Sequence, residues 1–208
     1  MNFKFLFTVL FTFVVIASMA QSKNSRGWTK IEKHGKIGFM DSTGFEVVKP
    51  AYDRIGLFGE YRKEWALVEH QGKLGFINHM GMRVLKPTYH EIEKFDVYHK
   101  NWALVKKDGR IGFINALGFE MVKPKYDNVE PFNKFKEGWA KVYKGSQMGF
   151  IDVTGFEVVP VKYTSIGDFG AHLKDLAVIE QNGKYGYINA VGQVVVKPTY
   201  DSIDGIAK

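Results

Sequence analysis

A strict 37-residue period dominates the chain. Gly38, Gly75, Gly112, Gly149 and Gly186 recur at that spacing, and so do Gly44, Gly81, Gly118, Gly155 and Gly192. Tyr52, Tyr89, Tyr126, Tyr163 and Tyr200 form a third series, and Phe58, Phe95, Phe132 and Phe169 a fourth. Trp28, Trp65, Trp102 and Trp139 keep the same interval, with Leu176 in the next place. Registers held this long without an insertion mean tandem copies of one supersecondary unit, beginning at Trp28, Trp65, Trp102, Trp139 and Leu176. One such unit cannot bury its own apolar face, so stability must come from stacking neighbours.

Within a unit the local chemistry is that of strands and tight turns. Trp65-Ala66-Leu67-Val68 is rich in strand formers. Gln71-Gly72 follows, with Asp108-Gly109 and Asn182-Gly183 at the same place in other units, the pairs that favour a two-residue hairpin turn. A second strand over 73–78 puts Leu74 and Phe76 on one face, and Gly75 between them leaves room for a close neighbour. Asp41, Asn78, Asn115, Asp152 and Asn189 each stand three residues before a recurring glycine, a spacing suited to an Asx turn.

A third strand, such as Glu46-Val47-Val48, is expected to stop at Lys-Pro (Pro50, Pro87, Pro124 and Pro198, with Pro160 in the fourth unit), because proline cannot donate to a ladder. The stretches 59–64, 96–101 and 133–138 are less regular and suit a short fourth strand or an ordered loop.

The chain is therefore read as all-β: five tandem antiparallel β-meander repeats over 28–208 forming an open, twisted array, after a short lead at 21–27. A five-bladed, propeller-like ring is the alternative. Its blades would be shorter than the ~40–45 residues of four-stranded propeller blades, and the sequence runs in whole units with no evident split blade to latch the ends.

Residues 1–20 read differently: Lys4, an apolar run from Phe5 to Ile16, then Ser18-Met19-Ala20. A basic start, a short apolar core and small residues two apart predict a secretory signal peptide cleaved after Ala20, and hence a periplasmic or extracellular protein with no membrane span once it is removed. The absence of cysteine excludes disulfides, thiol catalysis and thiolate metal sites. The formal net charge of +7 comes from lysines and arginines scattered among 22 acidic residues, which gives no dense patch for specific nucleic-acid recognition.

No phosphate loop, nucleophile elbow, dinucleotide fingerprint or zinc-protease motif is present. His34, His70, His79, His90, His99 and His172 occupy different phases of the repeat, so convergent metal ligands are not expected. The recurring Tyr52-Asp53, Tyr126-Asp127 and Tyr200-Asp201 pairs read as structural hydrogen-bonding groups. Catalysis needs differentiated groups held against one another, whereas this chain repeats the same groups. The expectation is a non-enzyme without a cofactor.

The runs at 109–118, 122–127 and 138–142 together resemble the WG-repeat, or KWG-repeat, family of bacterial proteins, and equivalent runs extend over 28–204. Where that family's name-giving pair has tryptophan before glycine, this chain has Ile37, Leu74, Ile111, Met148 or Tyr185. The resemblance implies a β-rich interaction scaffold with no catalytic residues to carry over.

Loops carry function more often than scaffold positions do. The variable segments therefore supply the candidate interaction surface: Phe58, Tyr61, Arg62 and Lys63; Phe95, Tyr98, His99 and Lys100; and Phe132, Phe135 and Lys136. The expected partner is a protein or a cell-envelope polymer. A carbohydrate-binding or carbohydrate-active protein using its aromatic rings is the alternative.

Overall fold

A computed structural model of the chain describes residues 27–203; the expected signal peptide lies outside them. All regular structure among the described residues is β. The first sheet contains β1 (Thr29–Lys33), β2 (Lys36–Met40) and β3 (Glu46–Tyr52). The second contains β4 (Arg54–Ile55), β5 (Trp65–His70), β6 (Lys73–Asn78) and β7 (Arg83–Tyr89). The third is built from β8 (Glu91–Ile92), β9 (Trp102–Lys107), β10 (Arg110–Asn115) and β11 (Glu120–Tyr126). The fourth has β12 (Asn128–Val129), β13 (Trp139–Lys144), β14 (Gln147–Asp152) and β15 (Glu157–Tyr163). The fifth has β16 (Ser165–Ile166), β17 (Leu176–Gln181), β18 (Lys184–Asn189) and β19 (Val194–Tyr200). Every pairing is antiparallel between strands consecutive in sequence, which is the meander that short, strong turns dictate.

The turns behave as their residues require. Asp108 and Gly109 both have positive φ (+50° and +74°), the geometry whose twist matches a right-handed strand pair. In the next turn Asp41 Oδ1 accepts the N–H groups of Thr43 at 2.9 Å and Phe45 at 3.1 Å, as expected of an Asx turn.

Two local expectations are corrected. The third strand does not stop at Lys-Pro; it continues to the tyrosine through a bulge. Ile111 pairs with Tyr126 but Phe113 with Val122, so the two-residue step on β10 faces four residues on β11. Lys123-Pro124 fills that excess, where a missing N–H costs nothing. Gly112 lies opposite the bulge, and a Cβ there would come within 2.6 Å of Pro124 N and closer still to the Val122 carbonyl oxygen. The recurring glycine and the recurring Lys-Pro are thus two halves of one device.

The fourth strand is also displaced. Residues 59–64 form turns, and the short strand lies just after the Tyr-Asp pair, at Arg54–Ile55 and its equivalents. It hydrogen-bonds to the next unit: Val129 pairs with Val142, and Ile166 with Ile179. The four four-stranded sheets are therefore split across a unit boundary, contrary to the whole-unit reading, and the first sheet has three strands, all of one unit, among the described residues. The Tyr-Asp aspartates add a second tie, since Asp127 Oδ2 accepts the Gly145 N–H at 2.6 Å in the following hairpin turn.

Packing between sheets joins consecutive units, and the core is a series of junctions. In each, a tryptophan meets the phenylalanine of the next loop edge to face: Trp65 with Phe95 at 5.8 Å and 82°, and Trp102 with Phe132 at 5.6 Å and 85°. Such ring pairs add about 0.5–1.5 kcal/mol to burial. Ala140, Val142 and Ile151 of one unit close against Trp102, Phe113 and Val122 of the preceding one. The outer face of the last unit stays open, with Val195 and Tyr200 exposed. Among the described residues the five sheets stay separate, with no strand of the fifth placed in the first.

Candidate functional site

The loops singled out from the sequence divide by chemistry. Phe95 and Phe132 are buried, and Phe58 is half-buried against Trp28. All three are junction cement, so their rings are not offered to a partner. Tyr61 and Tyr98 are half-buried, edge-on to Phe76 and Phe113 at 5.4 and 5.7 Å. His99 sits 5.3 Å from both Trp102 and Phe132, and Phe135 packs on Phe150. Arg62 lies 5.1 Å over Phe95, and Lys136 lies 5.2 Å over Trp139, each covering a ring with its cation. Lys63 and Lys100 alone of the set are exposed. The irregular segments thus present a polar rim over an aromatic seam.

The outward apolar surface lies elsewhere. Phe45, Met82, Phe119 and Phe156 occupy the residue after the recurring turn glycine, and they are 68%, 53%, 65% and 68% exposed. Each is held by the local Asx turn: Asn115 Oδ1 accepts the Phe119 N–H at 3.0 Å, and Asp152 Oδ1 the Phe156 N–H at 3.1 Å. The turns themselves are stacked, because a Cβ on Gly118 would meet the Val84 carbonyl oxygen of the previous unit at 2.9 Å. Hence the four side chains form a row, one per unit, flanked by exposed Met80, Leu117 and Val191. Single exposed apolar residues are ordinary, whereas large ones repeated at one position of stacked turns make a candidate surface. The signal available in the sequence was a turn position that keeps a large apolar residue in four units of five.

Two of the carboxylates beside this row, Glu120 and Glu157, are engaged in the scaffold, while Glu46 beside Phe45 is exposed. The Tyr89 hydroxyl donates to Glu120 Oε2 at 3.0 Å, and the Tyr126 hydroxyl to Glu157 Oε1 at 2.7 Å, each bond crossing a unit boundary. Burial and the glutamate both raise the Tyr126 phenol far above its ordinary value. Burial works to raise the Glu157 carboxyl too, but the Lys125 ammonium, 2.6 Å away, and the Tyr126 hydroxyl outweigh it and hold the group below its ordinary value. One side chain breaks the apolar pattern inside a junction. Lys141 is buried with its ammonium 3.7 Å over the Phe135 ring, donating to the Ile166 carbonyl at 3.3 Å, and desolvation lowers its pKa. Among the described residues no three histidine, aspartate or glutamate side chains gather as a metal site. No helix among them is long and apolar enough to cross a membrane.

Five consecutive matches to the WG containing repeat family cover residues 37–73, 75–110, 111–146, 148–185 and 185–208. No curated protein matches the chain.

Proposed function

The chain belongs to the WG containing repeat family, and on that premise we propose that it is a non-catalytic scaffold that docks a protein partner along the row of Phe45, Met82, Phe119 and Phe156. The observation carrying this reading is the exposure of four large apolar side chains at one repeat position. Desolvating such a row on an apolar partner surface supplies binding energy at about 25 cal/mol per Å² before the costs of association. Copies along the chain add avidity for a partner with a matching repeat. Lys63 and Lys100, with the other cations of the rim, would steer an acidic partner rather than anchor it. The apolar run at 5–16 and Ser18-Met19-Ala20 support a reading in which this work is done in the cell envelope or outside the cell.

The sugar-binding alternative draws on the same row, because Phe119 and Phe156 have Glu120 and Glu157 beside them. It is the weaker reading. The tryptophans, whose rings stack best on sugars while their N–H groups bond hydroxyls, sit in the junctions, and both glutamates are committed to tyrosines.

The test is capture from cell-envelope extract and from a glycan panel, comparing the wild-type chain with the Phe45→Ser/Phe119→Ser/Phe156→Ser variant. One discrete protein retained by the wild type, with binding reduced at least about tenfold in the variant, is the expected result. Equal retention by both chains would sink the apolar-row reading. Capture of a polysaccharide, lost in the variant or on Tyr61→Ala with Tyr98→Ala, would favour the sugar-binding alternative.

A further inference from the structure

The first junction, between the units that begin at Trp28 and Trp65, breaks a charge pattern that the next two keep. At the second and third junctions the recurring tyrosine donates to a glutamate of the following unit, Tyr89 to Glu120 and Tyr126 to Glu157. The Glu157 carboxylate is also held by the Lys125 ammonium at 2.6 Å, and the Lys144 charge favours it further. Such a place is built to hold a carboxylate against a phenol and cations.

At the first junction the tyrosine is Tyr52, and Arg83 stands in the position of Glu120 and Glu157. The carboxylate is gone and a cation has replaced it. Burial raises the Tyr52 phenol above its ordinary value, and the Arg83 charge opposes that rise. Among the described residues neither the Tyr52 hydroxyl nor the Arg83 guanidinium has a hydrogen-bond or ion-pair partner. The covering side chain is missing too. Lys125 and Lys162 lie 5.0 and 5.2 Å over the rings of Tyr126 and Tyr163, whereas the residue before Tyr52 is Ala51.

A cleft of about 240 Å³ opens here, lined by Ala51, Tyr52, His70, Arg83, Lys86 and Pro87. Its lining contains no carboxylate. Arg83 and Lys86 are exposed cations, and His70 donates from Nδ1 to the Ala51 carbonyl at 2.8 Å. The carboxylate next along the chain, Asp53, is engaged by Lys36 and by the Gln71 N–H. Loss of the glutamate alone does not create such a place: at the fourth junction the same position is Val194, which brings no charge.

We propose that this cleft binds a carboxylate group of a ligand, which takes the place at Tyr52 that Glu120 and Glu157 fill at the later junctions. Arg83 offers a planar fork for two parallel N–H···O bonds, Lys86 adds charge, and the Tyr52 hydroxyl donates to a remaining lone pair. The cleft is smaller than the ~300–1,000 Å³ pockets that enclose whole ligands. It therefore grips a terminal or side-chain carboxylate and leaves the rest of the ligand outside. The site stands whether or not the apolar row docks a protein.

The test is an NMR titration of the chain, expressed from its full sequence and purified as it accumulates, with sodium glutarate at constant ionic strength. Glutarate should shift the Arg83 Nε–H and the Tyr52 amide saturably, and neutral glutaramide should shift neither. Arg83→Gln should weaken binding at least about tenfold, and Tyr52→Phe, which keeps the ring, by a smaller factor. Arg83→Glu restores the pattern of the later junctions, so it should fold as the wild type does and lose glutarate binding. A capped peptide with a central glutamate separates the sources. Binding tighter than glutarate assigns the site to an acidic side chain of a protein, and weaker binding assigns it to a small free carboxylate. The proposal is overturned by an absence of saturable shifts, by equal shifts with glutaramide, or by tighter binding of inorganic phosphate. Unchanged affinity in Arg83→Gln overturns it as well.

Discussion

Tyr126 and Tyr200 occupy the same position of the same repeat, yet one is fully buried and the other is 56% exposed. The local sequence hardly distinguishes them: Pro124-Lys125-Tyr126-Asp127 against Pro198-Thr199-Tyr200-Asp201. What differs is the presence of a following unit to cover the ring and supply Glu157. The same contrast holds between Val122, buried at 3%, and its counterpart Val196, which is only partly covered. Burial in this molecule is therefore a property of the junction, and a central unit should be stabilised from both sides while the last is stabilised from one.

The contrast can be broken by substitution at equivalent positions. The largest effect is expected for Tyr126→Ala, which empties a sealed junction and should cost about 3–5 kcal/mol, against less than about 0.5 kcal/mol for Tyr200→Ala. Urea melts of the two variants decide the point, and equal losses would undo the junction account. Gly112→Ala comes next. Its Cβ meets backbone atoms of the bulge, a repacking cost on the order of 3 kcal/mol. Gly186→Ala meets the same geometry on β19 but should cost clearly less, because the far side of that strand faces solvent and the strand has room to shift. Thermal midpoints of the pair measure the difference.

A smaller effect concerns pH. The folded state holds Glu157 below the ordinary glutamate value of ~4.3. Its contribution is therefore complete above that value and is lost as pH falls through the lower, folded value. Stability should decline through this acid window, and Glu157→Gln should be less stable at neutral pH with a shallower decline on acidification. A wild-type decline unchanged by the substitution would assign the acid sensitivity to other carboxylates, among them Glu130 and Asp152, which are also held low. The smallest effect is expected for Phe119→Ser. A side chain this exposed should change stability by no more than about 0.5 kcal/mol, and a cooperative loss of several times that in a urea melt would mean that the row is a hidden part of the core.

Much of this fold was legible in the residues because its determinants are local. Asp108-Gly109 sets a hairpin turn through its own φ angles, and Asp41 sets an Asx turn through its own carboxylate, so period, strand order and turn positions follow from nearest neighbours in the chain. Family membership was legible for the same reason, since the spaced glycine, Lys-Pro and tyrosine landmarks are each required by one unit's geometry. The candidate surface was not. Phe132 and Phe119 are both repeated phenylalanines in segments that lack long strands, and nothing within either segment says which ring faces a neighbour.

Tertiary structure made that choice: Phe132 falls across a tryptophan of the preceding sheet, while Phe119 projects from a stacked turn. It also moved the fourth strand across the unit boundary and turned Lys-Pro from a strand terminator into a bulge opposite glycine. The sequence alone determined the shape of one unit, because backbone conformation and hydrogen bonding act over a few residues. Only the stack decided what each unit buries, because removal of surface from water depends on the neighbour that covers it.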